Sequence, residues 1–207
     1  MPSAAANNMI QRKLLLVLAL ALLLALLVAA CHSVDPVIKV GLVAPFEGRH
    51  RAIGYDVLYS ARLAVRELNA AGGINGTRVA LVALDDGGNP ELAVGTTESL
   101  IVDPNVVAVI GHWLPQTTAA AQQQYMDGGL AFIAGGEAPF QVVDPQQLPP
   151  DFAAAYTAVT PFDETPGPYA APAYEAYQFL WRLLEETQDQ HGAITRDTVQ
   201  ETFGGAE

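Results

Sequence analysis

An α/β fold, one parallel sheet covered by helices, is what the sequence predicts, on three observations. Four apolar runs lie between Val37 and Pro139, and a stretch with helical spacing follows each of the first three. Such strand–helix alternation forces parallel pairing. The runs are short and continuously apolar, as buried strands are. Gly, Asn and Pro punctuate the junctions, where turns and caps need them.

The elements follow in order. Ile38 to Ala44 (IKVGLVA) reads as the first strand, ended by Pro45, with Phe46 to Ile53 as a loop. A helix is expected over Gly54 to Ala71, with Val57, Ala61, Ala64, Val65 and Leu68 on one face and Arg62, Arg66 and Glu67 turned away. Gly72-Gly73 supplies a left-handed C-cap and Asn75-Gly76 a turn into strand two, Arg78 to Leu84. Asn89 caps a helix with Pro90 in its first turn, ending near Val102. Strand three is Val106 to Ile110, a helix spans Gln116 to Asp127, and strand four is Leu130 to Ala134. A Pro-rich connector (Asp144 to Pro150) precedes a short helix at Phe152 to Val159. A long helix over Ala170 to Glu186 buries Ala173, Tyr177, Leu180 and Leu184, flanked by Tyr174 and Trp181. The last helix, Arg196 to Phe203, follows Thr195 as N-cap.

The first 30 residues read differently. Arg12 and Lys13 precede 17 unbroken apolar residues, Leu14 to Ala30, fewer than the ~20 of a spanning helix. Small residues then lead to Cys31, the only cysteine. That is a secretory signal, and Val28-Ala29-Ala30-Cys31 resembles the lipobox of bacterial lipoproteins. The lipobox implies lipid on the Cys31 thiol and a chain anchored outside the cytoplasmic membrane. From Cys31 on, eight basic residues face 22 acidic ones, a formal charge of −14. Such a surface repels nucleic acid, which is excluded as a partner.

Catalytic signatures are absent: no G-x-S-x-G, no phosphate loop, no H-E-x-x-H. The glycines at 72, 73 and 76 follow a helix rather than a strand, so they are no dinucleotide fingerprint. His32, His50, His112 and His191 show no metal-ligand spacing. The reading is of a non-enzyme without metal or cofactor.

The strings IKVGLVAP, ARLAVRELNAAGGINGTRVALVALDD, NPELAV and VVAVIGH occur in the order and spacing of type I periplasmic binding proteins. Among these the chain most resembles the branched-chain amino-acid (leucine-binding) receptors of ABC importers. YAAPAYEAYQFLWRLLEE resembles their late helix returning to the first lobe. The resemblance implies a single Rossmann-like doubly wound sheet, one lobe of that fold with the second lobe missing. Residues 37–139 would carry the βα repeats, 140–150 a connector in place of the second lobe, and 151–207 the returning helices. Residues 1–30 would be the signal and 31–36 a lipidated linker.

In open parallel sheets ligands bind beyond the carboxyl ends of the strands. The richest end here is Gly111 to Thr118, where Gln116, Thr117 and Thr118 open a helix whose free N–H groups favour an anion. Trp113 either lines a cleft or plugs a surface, and Gly135-Gly136 exposes bare backbone to a ligand. Trp113, Gln116, Thr117, Thr118, Gly135, Gly136 and Glu137 are thus the candidate ligand-binding residues. The resemblance places Pro115 and Glu137 where hydroxyl residues are typical, and the acidic residue for a ligand's ammonium in the absent lobe. Glu137 can instead pair with Arg49 or Arg51.

Asp85-Asp86 reads as strand-end capping and His112 as a hydrogen-bonded loop residue. Three readings stay open. One is a lipid-anchored solute-binding protein working with an ABC permease on amino acids or similar small polar solutes. The others are an interaction module, as a homodimer or with a partner supplying a second lobe, and an internally deleted remnant.

Overall fold

The computed structural model describes residues 13–18 and 37–205. Residues 13–18 are helical; the rest of the expected signal and Cys31 lie outside the described residues. Two compact units divide the chain, Met1–Asp35 and Pro36–Glu207, and the second holds the sheet.

Four parallel strands form that sheet: β1 (Val37–Ala44), β2 (Arg78–Asp85), β3 (Val106–Gly111) and β4 (Ala131–Ala134), in the order β2-β1-β3-β4. The helices are α1 (Arg51–Ala70), α2 (Pro90–Ile101), α3 (Pro115–Asp127), α4 (Pro150–Thr157), α5 (Ala170–His191) and α6 (Arg196–Gly205). This is the predicted α/β class, one doubly wound lobe.

Pleating divides the apolar residues of each strand between two layers. Ile38, Val40, Leu42, Ala108, Ile110 and Ile133 meet α1, α5 and α6 through Val57, Ala61, Ala64, Tyr177, Leu180, Leu184 and Val199. Val43, Val109 and Leu130 meet α2 and α3 through Ala93, Leu100, Ala121 and Tyr125. Each fully buried Leu or Ile contributes about 1.5–3 kcal/mol. The register shifts at Lys39/Val40, where Val106 and Ala108 are successive partners. This bulge turns Val107 and Ala108 to the same layer. A third cluster, Tyr59, Leu63, Tyr156 and Ala170, ties α4 to α1.

Most predicted boundaries hold within one or two residues, and the local chemistry shows why. Asn89 accepts from the N–H groups of Glu91 and Leu92, with Pro90 in the first turn. Asn75 and Gly76 both have positive φ, and Ile74 and Thr77 exchange both backbone hydrogen bonds, the tight turn expected. Thr195 and Thr198 cap each other, each N–H donating to the other's hydroxyl.

Three expectations need correction. The loop drawn over 46–53 is a 3₁₀ turn, Gly48–His50, running directly into α1 at Arg51. The start was concealed because His50 offers no side-chain cap, and Gly54 lies inside the helix. A Cβ at Gly54 would collide with the Pro45 carbonyl, so that glycine admits the strand end against the helix. The long helix α5 continues past Glu186 to His191, where Gly192 at φ 71° ends it. The connector also contains a 3₁₀ turn, Pro145–Gln147, capped by the Asp144 carboxylate.

Candidate functional site

The strand order reverses between β1 and β3, so the connections after them run to opposite faces of the sheet, the switch point at which open α/β sheets hold a ligand crevice. The Asp85 carboxylate binds the loops after β1 and β2 together, accepting from Phe46 N–H at 2.7 Å and Gly87 N–H at 2.8 Å. That is the capping role expected of it. Asp86 turns inward with no exposure and accepts from Gly88 N–H at 2.8 Å.

Asp86 also reaches the β3 loop. Its Oδ2 lies 2.9 Å from Nδ1 of His112, whose Nε2 lies 3.1 Å from the Tyr125 hydroxyl. With a carboxylate as acceptor, Nδ1 carries the proton and Nε2 accepts from Tyr125 O–H. Burial holds the Tyr125 hydroxyl above its ordinary pKa. All three side chains are 0 % exposed. His112 also sits at φ 43°, unfavourable for a residue with a Cβ. Two ring hydrogen bonds and its N–H donation to Val43 O hold it there.

That kink sends Trp113 across the end of β4. The indole is 2 % exposed, and a Cβ on Gly135 would lie 2.5 Å from two of its ring carbons. Tyr169, just before α5, meets it edge-on with centroids 6.2 Å apart. The Trp113 Nε1 donor is buried without a partner. The bare backbone expected at Gly135 is therefore covered by the chain's own side chain. Gly136 remains partly accessible at φ 76°.

The other candidates separate. Gln116 is exposed in the first turn of α3, beside Pro115 at its N-terminus. Thr117 and Thr118 are buried, their hydroxyls donating to Leu114 O at 2.9 Å and His112 O at 2.6 Å. Their N–H groups both donate to Leu114 O. Glu137 is exposed, and the ion pairs among the described residues join it to neither Arg49 nor Arg51. Trp113, Thr117, Thr118, Gly135 and Gly136 are thus brought together, whereas Gln116 and Glu137 sit on the rim.

Two contributors escaped sequence reasoning. The Asp86–His112–Tyr125 network joins positions 26 and 13 residues apart, with no local pattern to announce it. Asp56, on α1, accepts from the N–H groups of Gly167 and Tyr169 and from the Tyr156 hydroxyl, which sets the loop carrying Tyr169. Among the described residues no group of three or more His, Cys, Asp or Glu could hold a metal ion.

Residues 37–150 match the family described as periplasmic binding protein. An amino acid binding protein of Pseudomonas aeruginosa is 32 % identical over 113 residues, 55 % of this chain and 30 % of that protein. The Leu/Ile/Val-binding protein of Escherichia coli is 30 % identical over 164 residues, 79 % of this chain and 40 % of its own length. The chain therefore spans well under half of these two relatives. In fold it is similar to the branched-chain amino acid transporter substrate binding protein LivJ from Streptococcus pneumoniae in complex with isoleucine. The TM-score is 0.63 at 15 % identity, covering 81 % of this chain and 87 % of that one.

Proposed function

The chain belongs to the periplasmic binding protein family, and from that premise we propose that it is a solute-binding component of an ABC importer. Its solutes are amino acids or similar small polar molecules, and its partner is an ABC permease. Residues 1–30 are its signal, 31–36 a linker anchored by lipid on Cys31 outside the cytoplasmic membrane, and 37–207 the binding lobe. No cofactor is called for.

One observation carries this reading: the topological switch point between β1 and β3, where the loops after β1, β3 and β4 would border a ligand crevice. Names of relatives support the solute class, since the Escherichia coli protein is a Leu/Ile/Val-binding protein. Capture rather than catalysis fits the burial. The site's imidazole, carboxylate and phenol (His112, Asp86 and Tyr125) are sealed from any substrate.

Solute would meet Gly136 and the first turn of α3 around Gln116, and would reach the unpartnered Nε1 donor of Trp113 only by displacing the buried indole. Titration calorimetry of the full chain in mild detergent tests this, with leucine, isoleucine and valine first. Micromolar or tighter binding is expected, weakened at least about tenfold by Trp113→Ala. No heat with any of the twenty amino acids overturns the reading. Palmitate incorporation, abolished by Cys31→Ser, checks the anchor.

A second reading has its own observation. The indole on Gly135 occupies the ledge a ligand would use, and the Thr117 and Thr118 hydroxyls are already engaged. A lobe filled in this way would act by protein contact rather than capture. Light scattering that returns a dimer, together with silent calorimetry, favours it.

A further inference from the structure

A cleft of about 720 Å³, apart from the strand-end crevice, lies between the first turns of α1 and the loop after α4. That size is within the ~300–1,000 Å³ of small-molecule sites. Its walls are aromatic: Tyr55 and Tyr59 stack one turn apart on α1 with centroids 6.0 Å apart, and Phe162 faces them from the loop. Its charges are carboxylates, Asp56 within the cleft and Asp163 and Glu164 on the loop, against the single guanidinium of Arg51.

Phe162 is the most exposed large apolar residue among those described, at 81 %. Its loop is nonetheless tied down. Thr157 donates its hydroxyl to Glu164 O at 2.9 Å, and Glu164 N–H donates to the Thr160 hydroxyl at 2.8 Å. The aromatic ring is thus presented to solvent by a fixed turn rather than left there by a loose one. The Phe162 and Tyr55 rings, 81 % and 39 % exposed, form an apolar patch over the buried Tyr59, as a binding surface does.

Aromatic faces and carboxylates together select one chemistry. The negative face of a ring attracts a cation, and a carboxylate adds direct charge pairing. Tyr59 already does this with a neighbour, since the Arg62 guanidinium stands 5.8 Å over its ring. We propose that this cleft binds an organic cation, an alkylammonium or guanidinium group, between Tyr55, Phe162 and the carboxylates of Asp163 and Glu164. Asp56 forms the fixed negative floor. Its carboxylate is spent on Gly167, Tyr169 and Tyr156, and burial raises its pKa, so a cation above it relieves the cost of its charge. Two sources supply such a group, a free amine solute or a basic side chain on a partner protein.

Calorimetry of the full chain in mild detergent tests the site. The probes are choline, its uncharged isostere 3,3-dimethyl-1-butanol, and an acetylated, amidated tripeptide with a central lysine. Choline or the peptide should bind at least about tenfold more tightly than the isostere. Tighter choline identifies a free solute, and tighter peptide identifies a docking partner. Phe162→Ala and Glu164→Gln should each weaken the better probe by about threefold or more. Both side chains are exposed, so the urea midpoint should not move, which separates lost binding from lost folding. Silence with both cations overturns the proposal, as does equal binding of the isostere or indifference to both substitutions. Leucine titration reads the strand-end crevice and is independent of this outcome.

Discussion

The two ends of β3 are finished in opposite ways. At its start, Arg196 from α6 reaches under the sheet and donates to the carbonyls of Leu100, Ile101, Asp103 and Val106. One side chain thereby satisfies the last carbonyls of α2, the following turn and the strand's first residue. Beside it Lys39 bonds Asp103 at 2.7 Å, closing the same corner. At the other end, His112 is held at positive φ by a buried network, and Trp113 covers Gly135 with its Nε1 unsatisfied. The lower end saturates its hydrogen bonds with flexible surface cations. The upper end fixes its geometry from beneath and leaves a strained residue and a buried donor without a partner. Stored strain and open valence concentrate where a protein works, and the contrast supports the proposal that solute binds at the upper end.

Substitutions sharpen that contrast. Asp86→Ala strips the imidazole and Gly88 N–H of their acceptor in a site with no solvent, and with hydrogen bonds to a charged group worth about 1.5–3 kcal/mol each it should cost about 3–5 kcal/mol in urea unfolding. A loss under ~1 kcal/mol would show the network to be incidental. Arg196→Ala should cost about 2–3 kcal/mol, because hydrogen bonds from a charged donor are strong but water reaches this corner. Arg196→Lys should recover less than half, since an ammonium cannot span the four carbonyls. Gly135→Ala forces the indole aside and should cost about 1–3 kcal/mol. A red shift in tryptophan emission should accompany it, measured in a Trp181→Phe background so that Trp113 reports alone.

Acid separates the two ends by sign. The Lys39 hydrogen bond holds the Asp103 carboxyl below its ordinary value of 3.8. Its stabilisation is present above about that pH and is lost as pH falls below it. Burial raises Asp56 above 3.8, so its contribution is full below that value and is lost as pH rises through the folded pKa. Asp103→Asn should therefore flatten the acid limb of a stability profile by under ~1 kcal/mol, the pair being partly exposed. Asp56→Asn should instead remove the loss of stability that sets in as pH rises above 3.8. The same sign for both would break the comparison.

The scaffold was legible because its signals are local. Asn89-Pro90, Gly72-Gly73, Asn75-Gly76 and Thr195 each specify a cap or turn within four residues, and the apolar runs specify strands. The start of α1 was not, because Gly54 signals a helix boundary while serving a close approach to Pro45. At the crevice the sequence identified the loops and residue types but not their partners. Whether Trp113 lines or plugs depended on Gly135, 22 positions away, and on Tyr169, 56 away. The hydroxyls of Thr117 and Thr118 looked free because nothing local shows that His112 and Leu114 carbonyls turn back toward them.

The layer formed by α5 and α6 has a consequence for synthesis. All four strands are complete by Ala134 and α1 covers part of the face bearing Val40, Leu42, Ile110 and Ile133, yet the rest of its cover, Ala173 to Val199, comes later in the chain. A chain growing from its N-terminus carries part of that apolar face bare until α5 and α6 are made, and the Arg196 clamp closes only once α6 is present. Docking of elements so distant in sequence is slow relative to local helix formation. Until that layer docks, the exposed apolar face favours association with other chains or with chaperones.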